Sequence, residues 1–227
     1  MEAGSRYRME KTVTFRGNSP AAGAREPFRK QSKEQVFLLS PAHLKGKRAE
    51  RLRQNESRSE ISVRLRTGGA TIADLFCFAS PLYFRGKLAY AREFGMPPPG
   101  LEPCYVITSC RGLLPPDTRI DLASLDELAS GGAVDPDDDK YRIPLERDAR
   151  ILQAKLGDAA SVILLGSIAT RKYAEPLASV FGARLLFPSD FSGRGNMSRG
   201  SLLMRCVREG RELGYLSVAG LPRAREK

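Results

Sequence analysis

The fold is decided by residues 161–187, whose sequence is SVILLGSIATRKYAEPLASVFGARLLF. After Ser161 the first segment is wholly apolar through Leu165, which is typical of a strand buried on both faces of a parallel sheet. Residues 169–181 repeat their apolar side chains at helical spacing, and residues 184–187 form a second short apolar run. A strand, a helix and a strand in this order predict two neighbouring parallel strands joined by a helix.

The same alternation extends outward along the chain. Strands are predicted at residues 36–40, 104–108 and 215–218, and helices at residues 47–54, 71–78, 121–130, 144–156 and 197–209, with a further helix from Pro81. Residues 61–66 alternate apolar and polar side chains, so they form either an edge strand or a helix. Residues 96–100 and 133–140 are predicted loops. The pattern predicts an α/β protein, a three-layer α/β/α sandwich with a mostly parallel central sheet.

The net charge of +11 is concentrated towards both ends of the chain. Residues 1–34 are rich in Gly, Ser, Arg and Lys without an apolar period, which predicts a disordered basic arm. Residues 35–220 are predicted to form a single α/β domain, followed by a basic tail at residues 221–227. A basic field attracts polyanions. Either these segments contact nucleic acid, or they are only solvated surface.

The composition argues against several classes of protein. No apolar run approaches the roughly 18 residues that a membrane span needs, and no secretion signal is evident, so we expect a cytoplasmic protein without a membrane partner. One histidine and four cysteines without metal-site spacing predict neither a metal site nor disulfides. Neither GxxxxGK[ST] nor a GxGxxG following a strand is present. We therefore predict no cofactor, and no obligate protein partner is evident.

Small and polar residues follow four of the predicted strands. They occupy residues 40–47, 109–117, 166–172 and 188–200, and each segment holds at least one basic and one hydroxyl side chain. In an open parallel sheet, ligands bind beyond the carboxyl ends of the strands. Hydroxyls and exposed amides there bind phosphate oxygens. The sequence thus predicts a binding site at this edge, although loops after strands are rich in such residues in many α/β proteins.

Asp190 is the carboxylate best placed for catalysis, because it directly follows a predicted buried strand. It either stabilises a cationic transition state or positions a water, or it closes an Asx-type turn. His43 is either a ligand contact or simply a residue of the sheet edge. Tyr83 has helical spacing with its aromatic neighbours, so it belongs either to the core or to a surface on which bases stack.

Three stretches resemble the YaaA peroxide-stress proteins and a larger set of bacterial relatives. They are FLLSPA at residues 37–42, SPLYFRGKLAYA at residues 80–91 and VITSCRGLLPPD at residues 106–117. The whole group resembles the uracil-DNA-glycosylase-like sandwich, and the likeness covers about residues 35–218. Residues 187–190 (Phe-Pro-Ser-Asp) lie where such glycosylases often carry a His-Pro-Ser loop. Here Phe187 replaces that histidine, and residues 40–43 lack the usual aspartate.

The resemblance implies a uracil-DNA-glycosylase-like fold and a DNA glycosylase that excises a modified base, such as glucosylated cytosine, and leaves an abasic site. One relative is a phage-defence glycosylase with such a substrate, so a role in antiviral defence and double-stranded DNA as the partner are expected. The alternatives are a non-catalytic DNA-binding stress protein of the YaaA type and an enzyme acting on nucleotides or nucleosides.

Thirteen residues are the candidates for the glycosylase site. The catalytic candidates are Asp190 and Asn196. The candidates for the base pocket are Ser40, His43, Tyr83, Phe191 and Ser198, with the two aromatic rings stacking on the extruded base or filling its gap. The candidates for phosphate contacts are Arg85, Lys87, Arg111, Lys172, Arg194 and Arg199.

Overall fold

Strands and helices alternate along the chain in a computed structural model that describes residues 34–54, 59–67, 69–131, 134–168 and 171–220. The strands are β1 (Gln35–Leu39), β2 (Ala70–Thr71), β3 (Cys104–Ile107), β4 (Leu113–Leu114), β5 (Arg119–Ile120), β6 (Ser161–Leu165), β7 (Leu185–Pro188) and β8 (Tyr215–Ser217). The helices are α1 (Lys47–Arg53), α2 (Glu60–Thr67), α3 (Ile72–Ala79), α4 (Tyr83–Phe94), α5 (Leu122–Ser130), α6 (Asp139–Lys155), α7 (Arg171–Phe181) and α8 (Asn196–Glu209). Short 3-10 turns occupy Gly182–Arg184, Ser189–Phe191 and Val218–Gly220.

The central sheet has six strands in the order β4-β3-β1-β6-β7-β8. Its four inner strands are parallel: β1 pairs with β3 on one side and β6 on the other, and β6 pairs with β7. The outermost strands, β4 and β8, are antiparallel to their neighbours. The four inner strands are those predicted from apolar runs, so the prediction of an α/β protein with a mostly parallel sheet is confirmed. A separate antiparallel pair joins β2 to β5.

Helices cover both faces of this sheet. Successive residues of a strand point to opposite sides, so a continuously apolar strand has apolar side chains to bury on each face. On one face, Phe37 and Leu39 of β1 belong to a core that includes buried side chains of α1, α3, α4 and α8. On the other face, Val36 and Leu38 pack in a core with side chains of α6 and α7. All five residues of β1 are buried. This two-sided burial explains why residues 36–39 are continuously apolar rather than alternating.

The structure decides between two alternatives at one segment and differs from the sequence interpretation in two further places. The segment at residues 61–66, left open between strand and helix, lies in α2, with Ile61 and Leu65 on its buried face. The α6 helix begins at Asp139 rather than at residue 144, because the Asp138 carboxylate accepts a hydrogen bond from the Lys140 amide and caps the helix there. The strands β2, β4 and β5 were not predicted, since two residues are too few for a recognisable alternation.

The described residues all fall in one compact unit. The predicted arm, apart from its last residue, and the predicted tail lie outside the described residues.

Two glycines set the distance between α4 and α8. A Cβ atom on Gly86 would lie 2.9 Å from the Gly200 carbonyl oxygen, and one on Gly200 would lie 2.9 Å from the Tyr83 Cα atom. Side-chain atoms almost never approach backbone this closely, so these two positions exclude any larger residue. The pair therefore holds the first turns of α4 and α8 in direct contact.

We expect Gly200→Ala to lower the free energy of unfolding by about 1–3 kcal/mol, the usual cost of forcing extra volume into a packed interior. Urea denaturation followed by circular dichroism measures this change. Gly157→Ala is the matched control, because a Cβ atom there meets only a Glu34 carboxylate oxygen at an ordinary 3.6 Å. Equal free energies of unfolding for the two variants would show that α4 and α8 can move apart without loss of stability.

Candidate functional site

The parallel order of β3, β1, β6 and β7 brings their carboxyl ends to one edge of the sheet. We call this the carboxyl edge; it comprises the described parts of residues 40–47, 108–112, 166–172 and 188–200. The α8 helix begins here because it follows β7. The α4 helix also begins here, since its last residue, Phe94, lies at the opposite edge and accepts a hydrogen bond from Gln35 at the start of β1.

Asp190 is exposed at the carboxyl edge, within the 3-10 turn that follows β7. Its carboxylate accepts a hydrogen bond from the neighbouring Ser189 hydroxyl at 3.4 Å. Among the described residues no cation forms an ion pair with it. Asn196, the first residue of α8, is likewise exposed. Both catalytic candidates therefore lie in one segment and face solvent.

Exposed basic side chains lie in the same segment as Asp190 and in other segments of the carboxyl edge. Arg194 lies in the same segment and donates to the Ser198 hydroxyl at 3.1 Å. Lys172 is exposed in the first turn of α7, after β6. His43 and Lys45 are exposed in the segment after β1, and Arg85 is exposed on α4. The structure thus brings most of the predicted phosphate contacts to the carboxyl edge.

Arg111 also lies at the carboxyl edge, after β3, but α5 holds its guanidinium. Its Nε atom donates to the Glu127 carboxylate at 3.0 Å and its Nη1 atom to the Ser124 hydroxyl at 3.2 Å. The ion pair with Glu127 raises the pKa of Arg111 and lowers that of Glu127. A phosphate would have to compete with this carboxylate.

Three predicted contact residues are buried, which corrects their expected roles. Lys87 and Phe191 are each 1% exposed and Tyr83 is 7% exposed. A base stacks only on an open ring face, and a backbone phosphate needs an accessible cation. In this structure Tyr83 and Phe191 offer no such face, and Lys87 reaches no phosphate of a duplex. The close contact of α4 and α8 is the cause, because it covers all three side chains.

Lys87 is held against the end of β1. Its ammonium donates to the Ser40 carbonyl oxygen at 2.5 Å and to the Ser40 hydroxyl at 2.9 Å. The Ser40 hydroxyl in turn donates to the Leu165 carbonyl oxygen at the end of β6, at 3.2 Å. The Nζ atom of Lys87 also lies 4.5 Å from the ring centre of Tyr83 and 5.0 Å from that of Phe84. Ser40, predicted to line a base pocket, is instead a buried hydrogen-bond partner.

Burial lowers the pKa of Lys87 to about 7, because the ammonium loses its hydration. Cys77 opposes this shift and raises the pKa, and the charge of Arg199 has a smaller effect that lowers it. Among the described residues no carboxylate pairs with Lys87. A buried lysine is usually paired, so this one lacks the ordinary compensation for its charge.

On the side of α8, Arg199 packs against the buried side chains of Phe191 and Tyr83. Its Nε and Nη2 atoms donate to the Phe191 carbonyl oxygen at 3.1 and 2.9 Å, and its guanidinium lies 5.2 Å from the centre of the Phe191 ring. The Tyr83 ring lies edge-on to Phe191 at 6.4 Å. The Tyr83 hydroxyl is buried and has no hydrogen-bond partner in the described part of the chain. Burial raises the pKa of Tyr83, and nearby Arg199 partly opposes that effect.

Met197 was missed by the sequence interpretation. It is the second residue of α8 and is 68% exposed at the carboxyl edge, next to Asn196. The signal was an apolar residue within the polar segment 188–200, at the first position of the helix predicted at residues 197–209. The contact between Ser40 and Lys87 gave no comparable signal, because no spacing rule links the end of a strand to the interior of a distant helix.

Two further observations concern the described residues as a whole. No three or more His, Cys, Asp or Glu side chains among them are grouped as a metal ion would require. None of their helices has the length and apolar character needed to cross a membrane.

Comparisons of the chain with protein-family models, curated proteins and solved structures found no match.

Proposed function

We propose that this protein binds double-stranded DNA along the carboxyl edge and excises a modified base as a DNA glycosylase of the uracil-DNA-glycosylase-like type. The observation that carries the proposal is the exposed Asp190 carboxylate, unpaired among the described residues, on a sheet edge that also exposes cations from three segments. Arg194, Lys172 and Lys45 come from these three segments. DNA presents phosphates to the cations and a sugar to the carboxylate.

Breaking the N-glycosidic bond leaves positive charge on the sugar. Asp190 stabilises this charge as the bond between C1′ and the base nitrogen lengthens. A water oxygen then bonds to C1′, and the departing base takes up a proton. Asn196 and Ser198 lie six and eight residues further along the same segment, and in this proposal they contact the sugar or base edges. These steps use only the side chains of one segment.

The decisive test is incubation with duplexes that each carry one modified base, including glucosylated 5-hydroxymethylcytosine. Mild alkali then cleaves the strand at any abasic site, and gel electrophoresis reveals the break. We expect cleavage with at least one modified duplex and none with unmodified DNA. Bound duplexes that all remain intact would contradict the glycosylase proposal.

A second candidate function is non-catalytic DNA binding of the YaaA type. The burial of Tyr83 and Phe191 favours it, because neither predicted aromatic ring is open to an extruded base. The same assay separates the two candidates: this one requires DNA binding without abasic sites on any substrate.

Removing Lys172 should weaken DNA binding equally for all sequences, since phosphate contacts position a protein without reading bases. We expect Lys172→Ala to reduce the slope of log affinity against log salt by about 1. Fluorescence anisotropy with a labelled duplex measures this slope. Lys155→Ala is the matched control, because exposed Lys155 ends α6 at the opposite edge of the sheet. If Lys155→Ala changes the slope as much, DNA does not lie along the carboxyl edge.

Met197 is suited to fill the gap that an extruded base leaves. Exposed apolar side chains, methionine among them, insert between base steps and partly unstack them. We expect Met197→Ala to slow excision from paired DNA about tenfold, and much less from single strands, where no stack has to be opened. Met204→Ala is the control, since Met204 is 37% exposed further along α8. Equal slowing on both substrates would give Met197 a different role.

A further inference from the structure

A group of buried and partly buried side chains next to the carboxyl edge contains two cations, Lys87 and Arg199, and no carboxylate from the described residues. We call it the Lys87 cluster; it consists of Ser40, Tyr83, Lys87 and Arg199. The hydrogen bonds of Lys87 go to Ser40 alone. Those of Arg199 go to the Phe191 carbonyl oxygen. Neither cation has a carboxylate partner within the described part of the chain, and the charge of Arg199 acts unfavourably on Lys87.

The helices add to this positive character. The α4 and α8 helices begin side by side at the carboxyl edge, and neither has a side-chain cap on its first amides. The partial positive charge of a helix N-terminus favours anions. Both helices carry a member of the cluster in their first turns: Tyr83 and Lys87 on α4, and Arg199 on α8.

The Tyr83 hydroxyl is an independent sign of a missing partner. It is buried without a hydrogen bond of ordinary geometry among the described residues, and the nearby Arg199 guanidinium can approach it only as a donor, so no acceptor is present for its O–H group, whereas buried hydroxyls are usually hydrogen-bonded. It lies on the residue whose ring contacts Lys87 at 4.5 Å, close enough to Arg199 for that charge to affect its pKa. An acceptor bound here would meet a hydroxyl donor and two cations.

We propose that the Lys87 cluster is a binding site for an oxyanion of phosphate size, separate from the DNA contacts of the outer edge. Such an anion has acceptor oxygens for the Tyr83 hydroxyl, the Lys87 ammonium and the Arg199 guanidinium, and it neutralises the two cations. Charge-assisted hydrogen bonds of this kind are stronger than neutral ones. Access is from the side of Arg199, which is partly exposed and donates to the Phe191 carbonyl oxygen. The anion is either inorganic phosphate or the phosphate group of a nucleotide.

The experiment is calorimetric titration of the full chain, in a buffer without phosphate, with inorganic phosphate, a nucleoside 5′-monophosphate and the corresponding nucleoside. We expect saturable binding of the first two and none of the nucleoside. Tighter binding of the nucleotide than of phosphate identifies a nucleotide as the source, and equal binding identifies inorganic phosphate. No saturable binding of either anion overturns the proposal, whether or not the protein cleaves DNA.

Variants locate the site. Tyr83→Phe removes only the unpartnered hydroxyl, so it should keep the fold and weaken phosphate binding about tenfold. Arg199→Gln should abolish binding, while Arg205→Gln, which removes an exposed charge further along α8, should leave it unchanged. Unaltered binding by a folded Tyr83→Phe protein would overturn the proposal. Loss of binding on Arg205→Gln would do the same, since it would show a general response to surface charge.

Discussion

The substitution Asp190→Asn is expected to slow base release about 100-fold or more while DNA remains bound. Asparagine keeps the size of the side chain and its capacity to accept a hydrogen bond from Ser189, and removes only the negative charge. In the proposed mechanism that charge stabilises the cationic sugar in the transition state, and loss of one such preorganised group costs on the order of 100-fold to 1,000-fold in rate. Binding should tighten slightly, since a carboxylate beside phosphates is repulsive before the reaction.

Single-turnover base release at matched DNA occupancy measures this effect. Asp158→Asn is the control, because exposed Asp158 lies between α6 and β6 at the opposite edge of the sheet. The melting temperature should be unchanged in both variants, since asparagine serves the same turn. Equal rates for Asp190→Asn and the native protein would reduce Asp190 to a turn residue.

Lys87→Met should abolish a rise of stability with pH that the native chain shows between about pH 7 and 10. The folded protein lowers the pKa of Lys87 to about 7, whereas an unfolded lysine titrates near 10.4. Between these values the unfolded chain binds a proton that the folded chain does not. The free energy of unfolding therefore rises with pH in this window, by up to about 1.4 kcal/mol per pH unit. Below pH 7 both states are protonated and this dependence disappears.

Urea unfolding at pH 7.5 and 9 gives the comparison. The native chain should gain about 1–2 kcal/mol relative to Lys87→Met over this interval. Cysteine and tyrosine titrations are largely common to both proteins, so the difference isolates Lys87. The control Lys155→Met replaces an exposed lysine and should retain the native pH dependence. Parallel pH dependence of the native chain and Lys87→Met would mean that Lys87 keeps an ordinary pKa when folded.

The sheet and its carboxyl edge were predictable because a strand that is buried on both faces has a continuously apolar sequence. The apolar runs of β1, β3, β6 and β7 marked all four inner strands, and parallel strands necessarily share a carboxyl edge. The exposure of Asp190, Arg194 and Lys172 follows from their positions after strands. Residues 61–66 stayed ambiguous because six residues of alternating polarity satisfy a strand and a short amphipathic helix alike.

The interior of the site was not predictable from local patterns. Whether Tyr83, Lys87 and Phe191 face solvent depends on how closely α8 approaches α4, and that distance is set by Gly86 and Gly200. A glycine can occur inside a helix for several structural reasons, so neither Gly86 nor Gly200 predicted the contact between the two helices. The positive charge of Lys87 predicted a phosphate contact. Only the tertiary structure shows that its side chain points inward and bonds to Ser40.

The two outermost strands of the sheet, β4 and β8, are only two and three residues long. Long exposed edge strands are templates on which other chains add strands, and this is a common route to aggregation. Here few free backbone groups remain at either side, and Pro115 and Pro116 directly after β4 have no N–H to donate. Within the described residues, both sides of the sheet therefore offer a neighbouring molecule little backbone on which to add a strand, which disfavours aggregation by strand addition.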